Sequence, residues 1–83
     1  FVYPNPNTGA FQIRFYSSTS QPVTVTIFDS KGARVYQKRM ISTSPYSRLD
    51  VNLSGAVSGG TYVVEVLNEQ GERIGTRRIL IGH

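Results

Sequence analysis

Hydrophobic residues occupy every second position in several short stretches of this chain. In the first stretch, Phe11, Ile13 and Phe15 alternate with Gln12 and Arg14. A period of two residues is typical of a strand that buries one face and exposes the other. Further strands are predicted over residues 23–28, 34–40, 49–53 and 61–67, followed by a closing strand that holds Ile74, Ile79, Leu80 and Ile81.

The run from Thr61 to Leu67 is the most strongly β-biased part of the sequence, with valines at positions 63, 64 and 66. Branched side chains lose little additional freedom on a pleated surface and pack well there. Over the whole chain, Val, Ile and Thr number 22, whereas Ala, Leu and Met number 8. The composition therefore favours strands over helices, and the run 61–67 is expected at the centre of a sheet.

Two turns share the same chemistry, because Asp29 precedes Gly32 by three residues and Asn68 precedes Gly71 by the same distance. This spacing is typical of a type I turn that closes into a bulge, with the glycine at positive φ. A shift of 39 positions places six residues on six similar ones, namely Val25, Ile27, Asp29, Gly32, Arg34 and Val35 on Val64, Val66, Asn68, Gly71, Arg73 and Ile74. Two similar hairpins are predicted, with a bulge at Gly75 in the second.

Short strands separated by frequent turn signals predict an all-β domain, an antiparallel immunoglobulin-like β-sandwich of about seven strands. The Ser- and Thr-rich segment from Ile41 to Ser47 is expected to connect the two sheets. The alternation assigns these side chains to the core: Phe11, Ile13, Phe15, Val25, Ile27, Leu49, Val51, Leu53, Tyr62, Val64, Val66, Ile79 and Ile81.

Residues 1–83 are enough for a single domain, and their side chains carry little catalytic chemistry. Cysteine is absent, the lone histidine is the terminal His83, and the five carboxylates form no local pair. Asn5, Asn7, Asp29 and Asn68 offer oxygen atoms to a cation, but not in the order of a calcium-binding loop. The sequence therefore predicts a protein that is not an enzyme and holds no metal or cofactor.

Nine Lys and Arg against five Asp and Glu give a formal net charge of +4. The basic residues gather on the two hairpins, at Arg34, Lys38 and Arg39 and at Arg73, Arg77 and Arg78. Nucleic-acid binding is one interpretation of this cluster. Protection of exposed strands against aggregation is the favoured one, since no nucleic-acid motif is present. Tyr16, Phe28 and Tyr36 fall out of phase with the core, and packing or edge shielding is favoured for them over a sugar-binding platform.

Four segments of the chain carry a further signal. They are Tyr3-Pro4-Asn5-Pro6-Asn7-Thr8-Gly9-Ala10-Phe11, Val25-Thr26-Ile27-Phe28-Asp29-Ser30-Lys31-Gly32, Gly60-Thr61-Tyr62-Val63-Val64-Glu65-Val66 and Arg77-Arg78-Ile79-Leu80-Ile81. In this order and spacing they resemble the C-terminal sorting domain of type IX secretion cargo, although that family usually has Lys at the positions of Arg77 and Arg78. The resemblance assigns recognition to the motif positions Tyr3, Pro4, Asn5, Pro6, Gly9, Phe11, Asp29, Gly32, Gly60, Tyr62, Arg77 and Arg78.

The resemblance implies that this domain is the last module of a larger exported protein of a Gram-negative bacterium. Such a domain acts as a signal that outer-membrane secretion machinery recognises after the cargo has reached the periplasm. A sortase-like peptidase then cuts before the domain, and the cargo is released or attached to the cell surface. No apolar stretch is long enough for a transmembrane helix. The alternative function is an accessory carbohydrate-binding or adhesion module.

Overall fold

The computed structural model describes residues 1–43 and 45–82, which form two antiparallel sheets and no helix. The seven strands are β1 (Val2–Tyr3), β2 (Ala10–Tyr16), β3 (Pro22–Phe28), β4 (Arg34–Ile41), β5 (Tyr46–Asn52), β6 (Gly60–Leu67) and β7 (Arg73–Ile81). One sheet has three strands in the order β1-β2-β5, and the other has four in the order β4-β3-β6-β7. The predicted immunoglobulin-like sandwich is confirmed, and β6 is an interior strand as expected. Ser44 and His83 lie outside the described residues.

The core lies between the inner faces of the two sheets and follows the period of two. Twelve of the thirteen predicted core side chains are buried, and Val2 and Val23 join them. Phe15 is the exception, since it is half-buried at the margin of the core. Strand β1 pairs with β2 at Gln12 and Ile13, and on the other side of β2 Phe15 pairs with Ser47 of β5. The alternation gives the correct face of Phe15 but overestimates how far its side chain is buried.

The turns of the two predicted hairpins have the same backbone–backbone hydrogen bonds. In the β3–β4 turn, Gly32 N donates to Asp29 O over 3.0 Å, and in the β6–β7 turn Gly71 N donates to Asn68 O over 3.0 Å. The two glycines have φ values of 85° and 83°. Such values belong to the left-handed region that glycine enters without strain. The sequence interpretation of both turns is confirmed.

An approximate two-fold axis relates the two hairpins within the four-stranded sheet. The shift of 39 positions places Thr26 on Glu65, and these two residues also pair with each other across β3 and β6. The axis that exchanges the two hairpins therefore passes through this pair. Each hairpin also contains one bulge, because the register skips Val35 in β4 and Ile74 in β7. The bulge predicted at Gly75 thus lies one residue earlier in the chain. The axis places the basic residues of β4 and β7 at equivalent positions on opposite edges of the sheet.

Candidate functional site

The four motif segments converge on one end of the sandwich. Strand β3 ends beside Val63, which is near the start of β6, and Gly60 at that start pairs with Ile81 at the end of β7. Asn7, in the turn between β1 and β2, forms a parallel bridge with Ile81. We call this end the motif end, formed by residues 3–9, 29–32, 60–62 and 78–82. The fold therefore brings together four motif segments that are spread over about 80 positions of the sequence.

Asn5 joins the first motif to the last through its side chain. Its Nδ2 donates to the carbonyl oxygen of Arg78 over 3.1 Å, and its Oδ1 accepts from the backbone N–H of Leu80 over 3.0 Å. These two bonds have the pattern that a backbone residue of an added strand would supply. The side chain of Asn5 thus occupies part of the free edge of β7.

Asn7 extends this arrangement with its backbone. Its N–H donates to Leu80 O over 3.0 Å, and its carbonyl accepts from Gly82 N over 2.7 Å. Its buried side chain donates to Pro4 O over 3.0 Å and accepts from Gly9 N over 2.8 Å, which fixes the turn. Asn7 was not among the predicted recognition positions. An Asn two residues before a Gly in a turn is the sequence signal for this bonding.

The remaining turn residues have different surroundings. The peptide bonds before Pro4 and Pro6 are cis, and both prolines are exposed. Tyr3 is 62% exposed and stacks on Phe1 with 6.4 Å between ring centroids. Gly9 has φ 114°, and a Cβ atom there would lie 2.9 Å from Ser54 N. The exposed residues of this turn are Tyr3, Pro4, Asn5, Pro6 and Thr8.

Several predicted recognition positions serve the fold. Phe11 and Tyr62 are core residues, and the Tyr62 hydroxyl donates to Ser58 O over 2.5 Å. Asp29 Oδ1 accepts from Lys31 N and Ala33 N, both over 2.9 Å, which stabilises the turn. Among the described residues, no group of three His, Cys, Asp or Glu side chains is placed to hold a metal ion.

Arg77 and Arg78 are both exposed, but they lie on opposite faces of the sheet. Arg77 shares the face of Ile79 and Ile81, whereas Arg78 lies on the outer face. Their two-fold counterparts are Lys38 and Arg39 on β4. Because β4 and β7 are the edges of the sheet, these cations lie where charge protects against edge-to-edge pairing.

Of the three aromatic residues predicted to lie out of phase with the core, Tyr36 is a correction, because the bulge at Val35 places it opposite buried Ile27 on the core-facing side of β4. The three residues do not share a surface. Tyr16 is on the outer face of the three-stranded sheet, where its ring meets that of Tyr46 edge-on at 5.7 Å. Phe28 and Tyr36 belong to the other sheet, and Tyr36 packs against the core, where burial raises the pKa of its hydroxyl. The three residues therefore form no common sugar-binding platform.

Comparison with known proteins adds one finding. The model of one protein family, described as a secretion system C-terminal sorting domain, matches residues 1–81. No curated protein matches the chain. In the described part of the chain, no helix has the length and apolar character needed to cross a membrane.

Proposed function

Because the chain belongs to the family of secretion system C-terminal sorting domains, it is a sorting signal of type IX secretion cargo, and we propose that this signal is read in the folded state. The surface read would be the motif end, where the first turn meets the last strand. Its exposed side chains include Tyr3, Pro4, Pro6 and Arg78. We assign a role in recognition to all the motif positions. The exposed residues would contact the receptor, and the buried ones would maintain the fold that presents them.

The hydrogen bonds of Asn5 are the observation that carries this proposal. They connect residues that are 73 and 75 positions apart in the chain. An unfolded chain keeps such residues apart, because closing a loop of that length is entropically costly. A receptor that contacts both segments together would therefore bind the folded domain and ignore the unfolded one.

The proposed route begins in the periplasm, where the domain folds behind its cargo. Machinery at the outer membrane then binds the domain and moves the cargo across. A sortase-like peptidase cuts ahead of the domain, and the cargo reaches the cell surface or the medium. A rigid sandwich with turns presented at one end suits this role, since binding residues on a fixed scaffold need little ordering when a partner binds.

Replacement of Asn5 tests the proposal. The domain is fused behind a periplasmic reporter in a host with type IX secretion, and exported reporter is measured for the unmodified fusion and for Asn5→Leu. Loss of two hydrogen bonds to the edge of β7 costs about 1 to 2 kcal/mol, which raises the population of the detached turn by roughly fivefold to thirtyfold. We expect export to fall while the sandwich stays folded.

Gln70→Leu is the matched control, because this exposed residue lies in the turn at the opposite end of the sheet. Its export should equal that of the unmodified fusion. Undiminished export of Asn5→Leu would contradict a signal that depends on the joined segments. Specific glycan binding without any export of the unmodified fusion would favour an adhesion module instead.

A further inference from the structure

We propose that the outer face of the four-stranded sheet binds the surface of an anionic lipid bilayer through four arginines. We call this surface the arginine face, after its exposed residues Arg34, Arg39, Arg73 and Arg78. Two of them lie on β4 and two on β7, which are the edge strands of the sheet. The contact needs no receptor at the motif end, so it is a second property of the folded domain.

Side-chain contacts place the arginines of β4 on the outer face. Arg34 Nη1 donates to Gln37 Oε1 over 3.2 Å, and Gln37 Nε2 donates to Thr26 Oγ1 over 3.4 Å. Thr26 points away from the core, because the residues on either side of it in β3 are core residues. Arg39 lies two positions beyond Gln37 in β4 and therefore shares its face.

The arginines of β7 lie on the same face. Arg73 Nη1 is 3.8 Å from Glu65 Oε2, and Glu65 pairs with Thr26 across β3 and β6. Arg78 pairs with Val63, which lies two positions from Glu65 in β6. Directly paired residues share a face of an antiparallel sheet. All four arginines thus project from one side of the domain.

The strand register separates the arginines in two dimensions. Two rows of directly paired residues cross the sheet, each with an arginine at both ends: Arg34-Phe28-Val63-Arg78 and Arg39-Thr24-Leu67-Arg73. Three strand spacings separate the ends of a row, which is about 14 Å, and four residues along a strand separate the rows, which is about 13 Å. The inner members of both rows are half-buried. The arginines therefore form the corners of a broad surface.

Most of the net charge of the chain lies on this surface. Glu65 is the only Asp or Glu in the four strands of the sheet, so its four outer arginines leave a charge of +3, against +4 for the whole chain. On the outer face of the other sheet, Asp50 neutralises Arg48 with 3.1 Å between Oδ2 and Nη2, which leaves Arg14 alone. The arginine face is thus where an anionic surface is attracted most strongly.

The layout of the charges favours a bilayer over other polyanions. A nucleic-acid duplex is read by an element that enters a groove, and single strands stack their bases on exposed aromatic rings. Phe28 is the only aromatic residue among the strand positions of this face, and it is half-buried. An acidic protein would need carboxylates fixed at the spacing of the corners. Lipid phosphates move laterally in a fluid bilayer, so each guanidinium can acquire one.

The test measures cosedimentation of the purified domain with lipid vesicles. Vesicles of phosphatidylcholine are compared, at low salt, with vesicles of equal parts phosphatidylcholine and phosphatidylglycerol. We expect the domain to bind the anionic vesicles alone, and less well toward physiological ionic strength, where the Debye length is about 8 Å. Absence of binding to the anionic vesicles at low salt would overturn the inference.

A double variant of β4 tests the face itself. Arg34→Ala with Arg39→Ala removes two corners, neither of which is a predicted recognition position. A cation near an anionic surface contributes about a fivefold gain in affinity, so this variant should bind about 25-fold more weakly. Arg14→Ala with Lys38→Ala is the matched control, because it removes the same charge from exposed residues that lie on other faces. We expect the control to lose less than about threefold, and equal losses would overturn the inference.

A pair of charge reversals decides the question even if a double variant fails to fold. Arg39→Glu and Lys38→Glu change neighbouring residues on opposite faces of β4. We expect Arg39→Glu to weaken vesicle binding at least tenfold more than Lys38→Glu does, with melting temperatures showing that both domains fold. Equal binding would overturn the inference, as would binding of a single-stranded oligonucleotide without binding of vesicles. Because no receptor takes part, this outcome is independent of reporter export.

Discussion

At the scale of single residues, the first turn depends on the absence of a side chain at Gly9. Its φ of 114° is one that other residues rarely adopt, and a Cβ atom would lie 2.9 Å from the backbone nitrogen of Ser54. The Ser54 backbone cannot move away from this Cβ atom as the end of a flexible side chain could. We expect Gly9→Ala to lower the free energy of unfolding by about 2 to 4 kcal/mol, measured by urea denaturation.

Gly75→Ala is the matched substitution, because no heavy atom lies within 4 Å of a Cβ built there and its φ is not in the left-handed region. Its free energy of unfolding should change by less than about 1 kcal/mol. Equal stability of the two variants would show that the approach of Gly9 to Ser54 is not a constraint. Gly9 therefore has a structural reason for its place in the first motif segment.

At the scale of elements, β7 is the strand whose loss the domain cannot tolerate. Removal of residues 77–83 strips Ile79 and Ile81, each 1% exposed, from the core. That loss costs roughly 3 to 6 kcal/mol, comparable to the whole stability of a small domain. We expect the truncated domain to be unfolded by circular dichroism and the truncated fusion to remain in the cell. Export at the unmodified level would refute a sorting role for a folded signal.

The elements also show what the sequence can predict. Alternation located the strands and their faces, as at Ile13 and Val25, because burial of one face imposes that period. Turn chemistry located Gly32. Neither signal identifies which element lies along a sheet edge, so the bonds of Asn5 to β7 were not predicted.

At the scale of the whole molecule, the two-fold axis makes it possible to distinguish recognition of the β7 cations from an effect of net charge. Arg77→Ala with Arg78→Ala and Lys38→Ala with Arg39→Ala each remove two exposed cations from equivalent positions. Both double variants should keep the fold, since surface changes of this kind cost little. We expect export to fall for the β7 pair alone, measured against the melting temperature of each domain. Equal losses would indicate that net charge matters and position does not.

The attachment of the first turn to the last strand has a consequence for protein synthesis. The ribosome makes Asn5 early in the domain and Leu80 at its far end, and the bonds between them form only when both exist. A cargo chain that terminates prematurely within the domain lacks the strand that Asn5 and Asn7 require. Such a product contains the first motif segment but cannot form the motif end. Under the proposed function, such a product would not be exported, because the folded signal forms only after translation has passed β7.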